Sequence, residues 1–390
     1  MLFIKVLFIL SGFLIFWGMI GYQLTILMLD KIVRPPKKVI TNENLDIHPT
    51  ISIIIVAHNE EKVILDKLKN VSNIEYPNDK TEIIVSSDHS DDQTAKLVLE
   101  FIKNNPQKNI KLYETKSRGG KTNAQNEAVR IADNEILVFT DANSMIDPQA
   151  IRWLVMGLCQ ENVGYVTGKL VYLNRDQVMT SESESTYWDI DVRIRSIESR
   201  IQTITAGNGA LYACWKNEYV EIPNIESHDS TFPRHFALKG KRAVSIDEAL
   251  VYEKAGETNQ DEFKRKVRMN RIILKGILPD YRIFNVFKYK WYSFFYFGHR
   301  TCRYTLWLNH LILLTTNFLL VNEGYIYNSL FVGQLIFYIL ANVLLRKPCS
   351  NKYFNMIAYY MMTIYAQITG VYKSLTNNNK AYWEKAETTR

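Results

Sequence analysis

Residues 51–61 read ISIIIVAHNEE, and this stretch decides the fold class. Ile51 to Ala57 form a mostly apolar run, rich in β-branched residues and interrupted only by Ser52, with the length of one buried strand. The polar residues His58, Asn59 and Glu60 follow directly. In open α/β sheets, ligands collect at the carboxyl ends of the strands. The stretch therefore predicts a buried strand that leads into a binding edge.

Short β-branched runs alternate with helical stretches between residues 49 and 280, which predicts an α/β domain with a mixed, mostly parallel sheet. Further strands are expected at residues 82–86, 110–113, 136–140, 165–167 and 242–246. Helices are expected at residues 60–71, 94–103, 121–132 and 148–160. Asp88 follows the second strand and Asp141 follows the fourth, so polar side chains converge at one edge.

Several common kinds of active site have no residues to support them. The chain has no GxGxxG and no GxxxxGK[ST], which argues against a Rossmann dinucleotide site and a P-loop. It also has no HExxH, nucleophile elbow or Cys/His cluster, and its four cysteines are scattered like ordinary reduced thiols. The net charge of +7 is modest, and basic residues gather beside apolar segments. We therefore expect membrane lipids, and no nucleic acid, as the anionic partner.

The loop after the fourth strand is a candidate metal site. Asp141 and Asn143 stand two residues apart and offer the oxygen ligands that Mg²⁺ or Mn²⁺ prefers, with phosphate oxygens and water completing the shell. A solvated turn or a helix cap is the alternative interpretation of the same residues.

Four segments in this order carry a resemblance to a known family: 53–61 (IIIVAHNEE), 86–94 (SSDHSDDQT), 118–121 (RGGK, with Asn126 beyond it) and 139–143 (FTDAN). Over about residues 50–275 the chain resembles the inverting family 2 glycosyltransferases of GT-A fold. That family includes hyaluronan, chitin and cellulose synthases and many bacterial membrane polysaccharide enzymes. The resemblance implies a GT-A domain, a nucleotide-sugar donor and a divalent metal, Mg²⁺ or Mn²⁺.

The resemblance also implies residue roles. It assigns the nucleotide base and ribose to Ala57, Asn59, Glu60 and Asp88. It assigns the diphosphate to Asp141 and the metal to Asp141 and Asn143.

Two features of this sequence bear on the binding of the diphosphate. The family motif is usually Asp-x-Asp, so Asn143 keeps an oxygen ligand and removes a charge. Gly119 and Gly120 would let the backbone approach a phosphate, and Lys121 would add positive charge.

Inversion requires a base that deprotonates the acceptor hydroxyl, and a carboxylate serves well. Asp229 is the candidate, because its spacing to Gly240 resembles that of the family's Glu-Asp motif; a surface-loop aspartate is the alternative. His228 replaces the preceding acid, and we expect it to tune the site by titrating near neutrality. Residues 207–212 (GNGALY) resemble the family's turn on the acceptor side.

Residues 265–269 (RKVRM) stand where processive members carry Gln-x-x-Arg-Trp. Arg268 matches the arginine and is predicted to act in catalysis by binding phosphate. Arg265 replaces the glutamine and Met269 the tryptophan, which argues against processive synthesis. A basic amphipathic helix on a membrane surface is the alternative.

Apolar segments flank the central domain. We expect a transmembrane helix at residues 1–30, a linker at 31–48, the GT-A domain at 49–280, an interfacial amphipathic helix at 281–303, about three transmembrane helices at 304–373 and a tail at 374–390. These several apolar segments predict a multi-pass protein of the cell membrane. The first helix is followed by four basic residues, Lys31, Arg34, Lys37 and Lys38, which predicts that the central domain lies in the cytosol.

These observations predict a membrane-bound glycosyltransferase that moves a sugar from a nucleotide-sugar, expected to be a UDP-sugar, to a glycan or lipid-linked acceptor in surface polysaccharide biosynthesis. A processive synthase that exports its product is one alternative. A catalytically inactive nucleotide-binding membrane scaffold is another, supported by Asn143 and His228.

Overall fold

The computed structural model describes residues 1–33, 48–173, 179–254, 258–347 and 351–382, with 179–189, 259 and 352 described by their backbone alone. The chain divides into two compact units. The sheet unit comprises Val33–Asn174, Asp191–Ala255 and Lys380–Arg390; the helical unit comprises Met1–Ile32, Arg175–Ile190 and Gly256–Asn379. Most of the predicted linker lies outside the described residues, with Arg34, Lys37 and Lys38, and so does the tail beyond Tyr382.

Eight strands form one sheet in the described part of the chain: β1 Ile51–Ala57, β2 Thr81–Ser87, β3 Ile110–Glu114, β4 Ile136–Asp141, β5 Met145–Ile146, β6 Val163–Tyr172, β7 Leu211–Trp215 and β8 Arg242–Glu253. Their order is β3-β2-β1-β4-β7-β6-β8-β5. The pairs β1–β2, β1–β4, β2–β3 and β6–β8 are parallel, and β4–β7, β6–β7 and β5–β8 are antiparallel. The sheet is therefore mixed, as predicted.

The α-helices in chain order are α1 Leu2–Phe16, α2 Tyr22–Ile32, α3 Ile64–Ser72, α4 Thr94–Asn104, α5 Lys121–Ile131, α6 Ala150–Leu158, α7 Met179–Ile201, α8 His228–Leu238, α9 Asn259–Met269, α10 Ile273–Ile277, α11 Val286–Tyr289, α12 Trp291–Phe295, α13 Cys302–Tyr304, α14 Leu306–Leu320, α15 Tyr325–Arg346 and α16 Lys352–Leu375.

The sheet has a hydrophobic core on each face. Ile51, Ile53 and Ile55 of β1 pack into one core with residues of α3, α4 and α6, whereas Ile54 packs into the other with Phe139 and residues of α5 and α8. Successive side chains of a strand point to opposite faces, so a strand covered on both sides must be apolar throughout. This explains the mostly apolar sequence of β1, in which the buried Ser52 donates to Glu82.

The central strands and helices lie close to their predicted positions, but three elements at the antiparallel side were not predicted. These are β5, β7 and α8. β5 has two residues and β7 has five, which is too short for a clear pattern. α8 contains Pro233 and has few of the signals of a helix start beyond Ser227. Asp229 lies in the first turn of α8, so the alternative of a surface-loop aspartate does not hold.

The helical unit contains the apolar ends of the chain. In its described residues, two helices are long and apolar enough to cross a membrane, Leu2–Ile32 and Tyr325–Arg346. A third is possible if Trp291–Tyr304 and Leu306–Glu323, bent by 62°, together form one span. α16 is not among these candidates, and the four predicted spans stay a prediction.

The predicted interfacial helix at residues 281–303 is not one continuous helix. α11 ends before Lys290, whose φ of 53° breaks the helical path, and α12 starts at Trp291. A lysine at positive φ cannot continue a right-handed helix. Exposed Tyr281 and Phe287 precede this break. Membrane contact by this segment stays a prediction.

Candidate active site

The loops after β1 and β2 are tied to each other at the carboxyl edge of the sheet. The Asn59 amide oxygen accepts from Asp91 N at 2.7 Å, and Glu60 N donates to Thr94 Oγ1 at 2.7 Å. The Ala57 carbonyl accepts from Asp88 N at 2.8 Å. Asn59 sits at φ 54°, a left-handed conformation that asparagine tolerates. Ala57, Asn59 and Glu60 thus shape this edge, and their predicted nucleotide contacts stay predictions.

Asp88 fixes the glycine loop that precedes α5. One carboxylate oxygen accepts from Gly119 N at 2.9 Å and the other from Gly120 N at 2.8 Å. The carboxylate therefore occupies the amino end of a helix, where backbone N–H groups favour negative charge. The two glycine N–H groups that we expected to approach a phosphate donate here to a protein side chain.

Residues 381–382 of the chain pass close to Gly120. Gly120 has φ 87°, and a Cβ there would lie 2.5 Å from the Ala381 carbonyl oxygen. The Arg118 guanidinium lies 4.6 Å from the centre of the Tyr382 ring. The loop 118–120 is therefore covered on this side by residues 381–382, and only glycine fits at its centre.

Lys121 brings the fourth-strand aspartate and the candidate base into one cluster. Its ammonium forms an ion pair with Asp141 and donates to the Gly209 carbonyl at 3.0 Å. A Cβ on Gly209 would lie 3.3 Å from Lys121 Nζ and 3.7 Å from Asp229 Oδ2. Asp141, Lys121 and Asp229 therefore surround the same small space, although they come from β4, α5 and α8. Asn143, two residues after Asp141, is partly exposed beside it.

The main-chain carbonyl of Asp229 connects the first turn of α8 to a neighbouring turn of the chain. Its carbonyl accepts from Gly207 N at 2.7 Å, which joins α8 to the turn at residues 207–210. Within that turn Asn208 Oδ1 accepts from Ala210 N at 2.7 Å, and Asn208 Nδ2 donates to the Gly168 carbonyl at 2.7 Å. The Asp229 side chain is partly exposed, as an acceptor-activating base must be.

Lys67 is a charged residue at this edge that the sequence interpretation missed. Its side chain is fully buried under the segment that contains Asp141. Burial lowers the pKa of Lys67 to about 7, and the negative charges of Asp141 and Glu253 oppose that shift. The sequence did carry a signal, because Lys67 falls on the same helical stripe as the buried Ile64 and Leu68.

His228 is an internal residue, and the prediction that it titrates near neutrality was wrong. Its Nδ1 lies 2.9 Å from both the Tyr212 hydroxyl and Gln125 Oε1, and its Nε2 lies 3.0 Å from the Tyr219 hydroxyl. Burial, with a contribution from the positive charge of Lys121, lowers the pKa of His228 to about 3. His228 therefore connects β7 and α5 to α8 as a neutral ring.

This pKa predicts how stability depends on pH. Between pH 6.5 and about 3 the unfolded chain binds a proton at His228 that the folded chain does not. The contribution of the neutral His228 to the free energy of unfolding should therefore be complete above pH 6.5. Below pH 6.5 it should decrease by about 1.4 kcal/mol per pH unit. Urea unfolding at pH 7.5 and 5.5 should show a steeper loss for the native protein than for His228→Gln. Equal losses would contradict the assignment of a neutral buried ring.

Arg268 lies on α9 of the helical unit and is partly exposed. On the same helix Arg265, which stands at the position of the processive family's glutamine, donates to both oxygens of Glu262 at 2.7 and 2.9 Å. The Tyr359 hydroxyl also donates to Glu262 at 3.0 Å. Arg265 thus has a structural role that a glutamine could fill only in part. The catalytic role of Arg268 stays a prediction.

The comparisons with known proteins agree with this architecture. The family model described as glycosyltransferase like family 2 matches residues 48–271. The β-monoglucosyldiacylglycerol synthase of Nostoc sp. (strain PCC 7120 / SAG 25.82 / UTEX 2576) is 26% identical over 197 residues, which are 48% of this chain and 41% of that protein. The poly-β-1,6-N-acetyl-D-glucosamine synthase of Staphylococcus epidermidis is 30% identical over 159 residues, 40% of this chain and 37% of that protein. The chain thus spans about two fifths of the length of these relatives.

Among solved structures, the mannosyltransferase PcManGT of Pyrobaculum calidifontis, in complex with GDP-mannose and Mn²⁺, has a TM-score of 0.70 and 19% identity. The match covers 96% of this chain and 99% of that one, and it shows a shared GT-A fold. The family match extends over more than half of the chain and includes every residue of the cluster around Lys121. The chain therefore belongs to glycosyltransferase family 2 and has the GT-A fold.

Proposed function

We propose that this protein is a membrane-bound, inverting glycosyltransferase that transfers one sugar from a nucleotide-sugar to a hydroxyl of a lipid-linked or glycan acceptor. The observation that carries the proposal is the cluster of Asp141, Lys121 and Asp229 at the carboxyl edge of the sheet. A diphosphate needs positive charge and an acceptor hydroxyl needs a base. The cluster offers both within one small space.

Asp229 is proposed as the base. In a single displacement with inversion, the acceptor hydroxyl attacks the anomeric carbon from the face opposite the departing diphosphate. Asp229 takes the hydroxyl proton during this attack. Its carboxylate and the Lys121 ammonium both lie close to Gly209, which supports a base and a positive charge acting in the same space. No covalent enzyme intermediate is needed.

The residues after β4 fit a divalent metal. Mg²⁺ and Mn²⁺ sites on nucleotides use one or two protein oxygens with phosphate and water completing the shell. Asp141 supplies a partly exposed carboxylate, and Asn143 supplies an amide oxygen two residues on. No group of three or more His, Cys, Asp or Glu residues suited to a metal occurs in the described part of the chain, so the donor diphosphate would have to complete the site. When bound, the metal would neutralise charge on the leaving diphosphate.

The remaining donor-site residues are proposed from their place at the same edge. The Lys121 ammonium would exchange its ion pair with Asp141 for one with the incoming phosphate oxygens, where it adds positive charge. Ala57, Asn59, Glu60 and Asp88 would contact the base and ribose of a nucleotide, which we expect to be UDP. Asp88 already accepts two backbone N–H groups, so a nucleotide would share its carboxylate with the glycine loop.

The apolar helices support a reaction at the cell membrane with the sheet unit in the cytosol. One relative is named for the synthesis of a glycolipid and another for that of a polysaccharide. We favour single addition to a lipid-linked acceptor in surface polysaccharide biosynthesis. Support comes from the altered Gln-x-x-Arg-Trp element, in which Arg265 is engaged by Glu262 on its own helix.

The proposal predicts donor-dependent release of a nucleoside diphosphate. Purified, detergent-solubilised protein should release it from one member of a panel of UDP- and GDP-sugars, including GDP-mannose, when Mn²⁺ or Mg²⁺ is present. Release should stop with EDTA and return with metal. Sugar should appear in the lipid fraction of native membranes as a single residue, and the anomeric configuration of the product, read by NMR, should be opposite to that of the donor. Release that is unaffected by EDTA would remove the metal from the proposal, and a polymeric product would favour the processive synthase.

A further inference from the structure

Lys67 is the one fully buried lysine in the described residues, and it lies outside every role assigned so far. It comes from the middle of α3, whose buried stripe also contains Ile64, Leu68 and Val71. A lysine at such a position loses the hydration of its ammonium, which costs several kcal/mol unless partners replace the water. Its partners are therefore informative about why a charge is kept there.

Both hydrogen-bond partners of Lys67 belong to the segment that contains the proposed metal ligands. The ammonium donates to Thr140 Oγ1 at 2.9 Å and to the Ser144 carbonyl. Thr140 directly precedes Asp141, and Ser144 directly follows Asn143. One buried cation thus joins the two ends of a five-residue segment, which is closed further by Ser144 N donating to the Asp141 carbonyl at 3.2 Å.

The surrounding charges point in the same direction. Ser144 also donates its hydroxyl to Glu253 of β8, and the charges of both Glu253 and Asp141 act on Lys67. A buried ion pair seldom stabilises a fold more than apolar residues of the same volume would. A methionine would fill this space with less cost. Fold stability alone is therefore a poor explanation for an ammonium behind Asp141.

We propose that Lys67 is a positioning residue for the donor diphosphate: its buried amine binds both ends of the segment from Thr140 to Ser144 and fixes that segment behind Asp141. The inference rests on the proposed function, because it takes the diphosphate to bind at Asp141. With Asn143 in place of the family's second acid, the segment carries one negative charge. When protonated, Lys67 favours the approach of a dianionic diphosphate, and its hydrogen bonds to Thr140 and Ser144 hold the segment around Asp141 in one conformation.

Asn70 provides a matched control. It lies one turn further along α3, and its side chain also binds the backbone after β4, with Nδ2 donating to the Ile146 carbonyl and Oδ1 accepting from Ile146 N, both at 2.8 Å. Asn70→Ala therefore removes two hydrogen bonds between the same helix and the same stretch of chain. It removes no charge and leaves residues 140–144 untouched.

The test compares Lys67→Met, Thr140→Val and Asn70→Ala in the full-length, detergent-solubilised protein. We expect Lys67→Met to weaken the binding of UDP or GDP at saturating Mn²⁺ by about ten- to a hundredfold, the range seen when residues that orient metal ligands are replaced. Amide hydrogen exchange of residues 140–144 should become faster as well. Thr140→Val, which keeps the charge and loses one acceptor, should have a smaller effect in the same direction. Asn70→Ala should bind nucleoside diphosphate like the native protein.

The outcomes separate two failures. Equal binding by Lys67→Met and Asn70→Ala, with unchanged exchange at residues 140–144, would overturn the inference about Lys67. Absence of Mn²⁺-dependent binding by the native protein would instead overturn the proposed diphosphate site at Asp141. If Lys67→Met does not fold, Thr140→Val provides the test. Weaker binding of nucleoside diphosphate and faster amide exchange at residues 140–144 than in Asn70→Ala would support the inference. Equal binding and equal exchange in the two variants would overturn it.

Discussion

Asp229→Asn is expected to lower kcat by about 10²–10⁴-fold, the usual contribution of a general base. The amide keeps the shape of the side chain, and the backbone bond from Gly207 N to the Asp229 carbonyl is retained. Only the ability to accept a proton is lost. The KM of the donor should stay within about twofold, because an interaction made in the transition state is removed without changing ground-state binding.

The measurement is turnover and donor KM with the sugar nucleotide that the native protein uses. Asp147→Asn is a suitable control, because Asp147 also caps local backbone, accepting from Gln149 N at 3.0 Å, and has no contact with the Lys121 cluster among the described residues. It should turn over at nearly the native rate. A variant Asp229→Asn that retains more than about a tenth of kcat would show that another group accepts the proton.

The main strands and the binding edge could be predicted because their signals are local. β1 is buried on both faces, and burial on both faces favours the nearly continuous apolar run Ile51–Ala57 that the sequence displays. Parallel strands bring their carboxyl ends together, so the placement of Asp88 and Asp141 at one edge followed from the strand order alone.

The roles of neighbouring residues within α8 could not be read in this way. His228 and Asp229 are adjacent, and successive helical residues point about 100° apart. In the structure this difference sends the imidazole into the aromatic core with Tyr212 and Phe232, and it leaves the carboxylate beside Gly209. The sequence analysis predicted no helix here, so it had no basis for placing the two side chains in different surroundings and expected His228 to titrate near neutrality.

Lys67 could not be assigned because its partners are distant in sequence. Thr140 lies 73 residues and Ser144 77 residues beyond it, and only the packing of α3 against β4 and β5 brings them within hydrogen-bond reach. A lysine in a helix is ordinarily placed in solvent. The periodicity of Ile64, Leu68 and Val71 puts this one inside, but the pattern alone gives no partner for its charge.

Asp141→Asn is expected to lower kcat/KM by about 10²–10³-fold, with a marked rise in the Mn²⁺ concentration needed for half-maximal activity. The substitution removes the one carboxylate of the proposed metal pair and the ion-pair partner of Lys121. Asn143→Asp should act in the opposite direction on the metal, lowering the half-saturating Mn²⁺ concentration by about tenfold, because charge count tunes the affinity of oxygen sites.

Lys121 allows the two functions of Asp141 to be separated. If Asp141 only holds Lys121 in place, Lys121→Met and the double variant Lys121→Met/Asp141→Asn should have the same activity and the same metal requirement. If Asp141 also binds the metal, the double variant should need more Mn²⁺ than Lys121→Met. Both variants lose the ion pair between Lys121 and Asp141, but only the double variant also loses a metal ligand. Mn²⁺ titration followed by electron paramagnetic resonance, with UDP or GDP present, measures this directly. Equal titrations for the native protein and Asp141→Asn would place the metal away from β4.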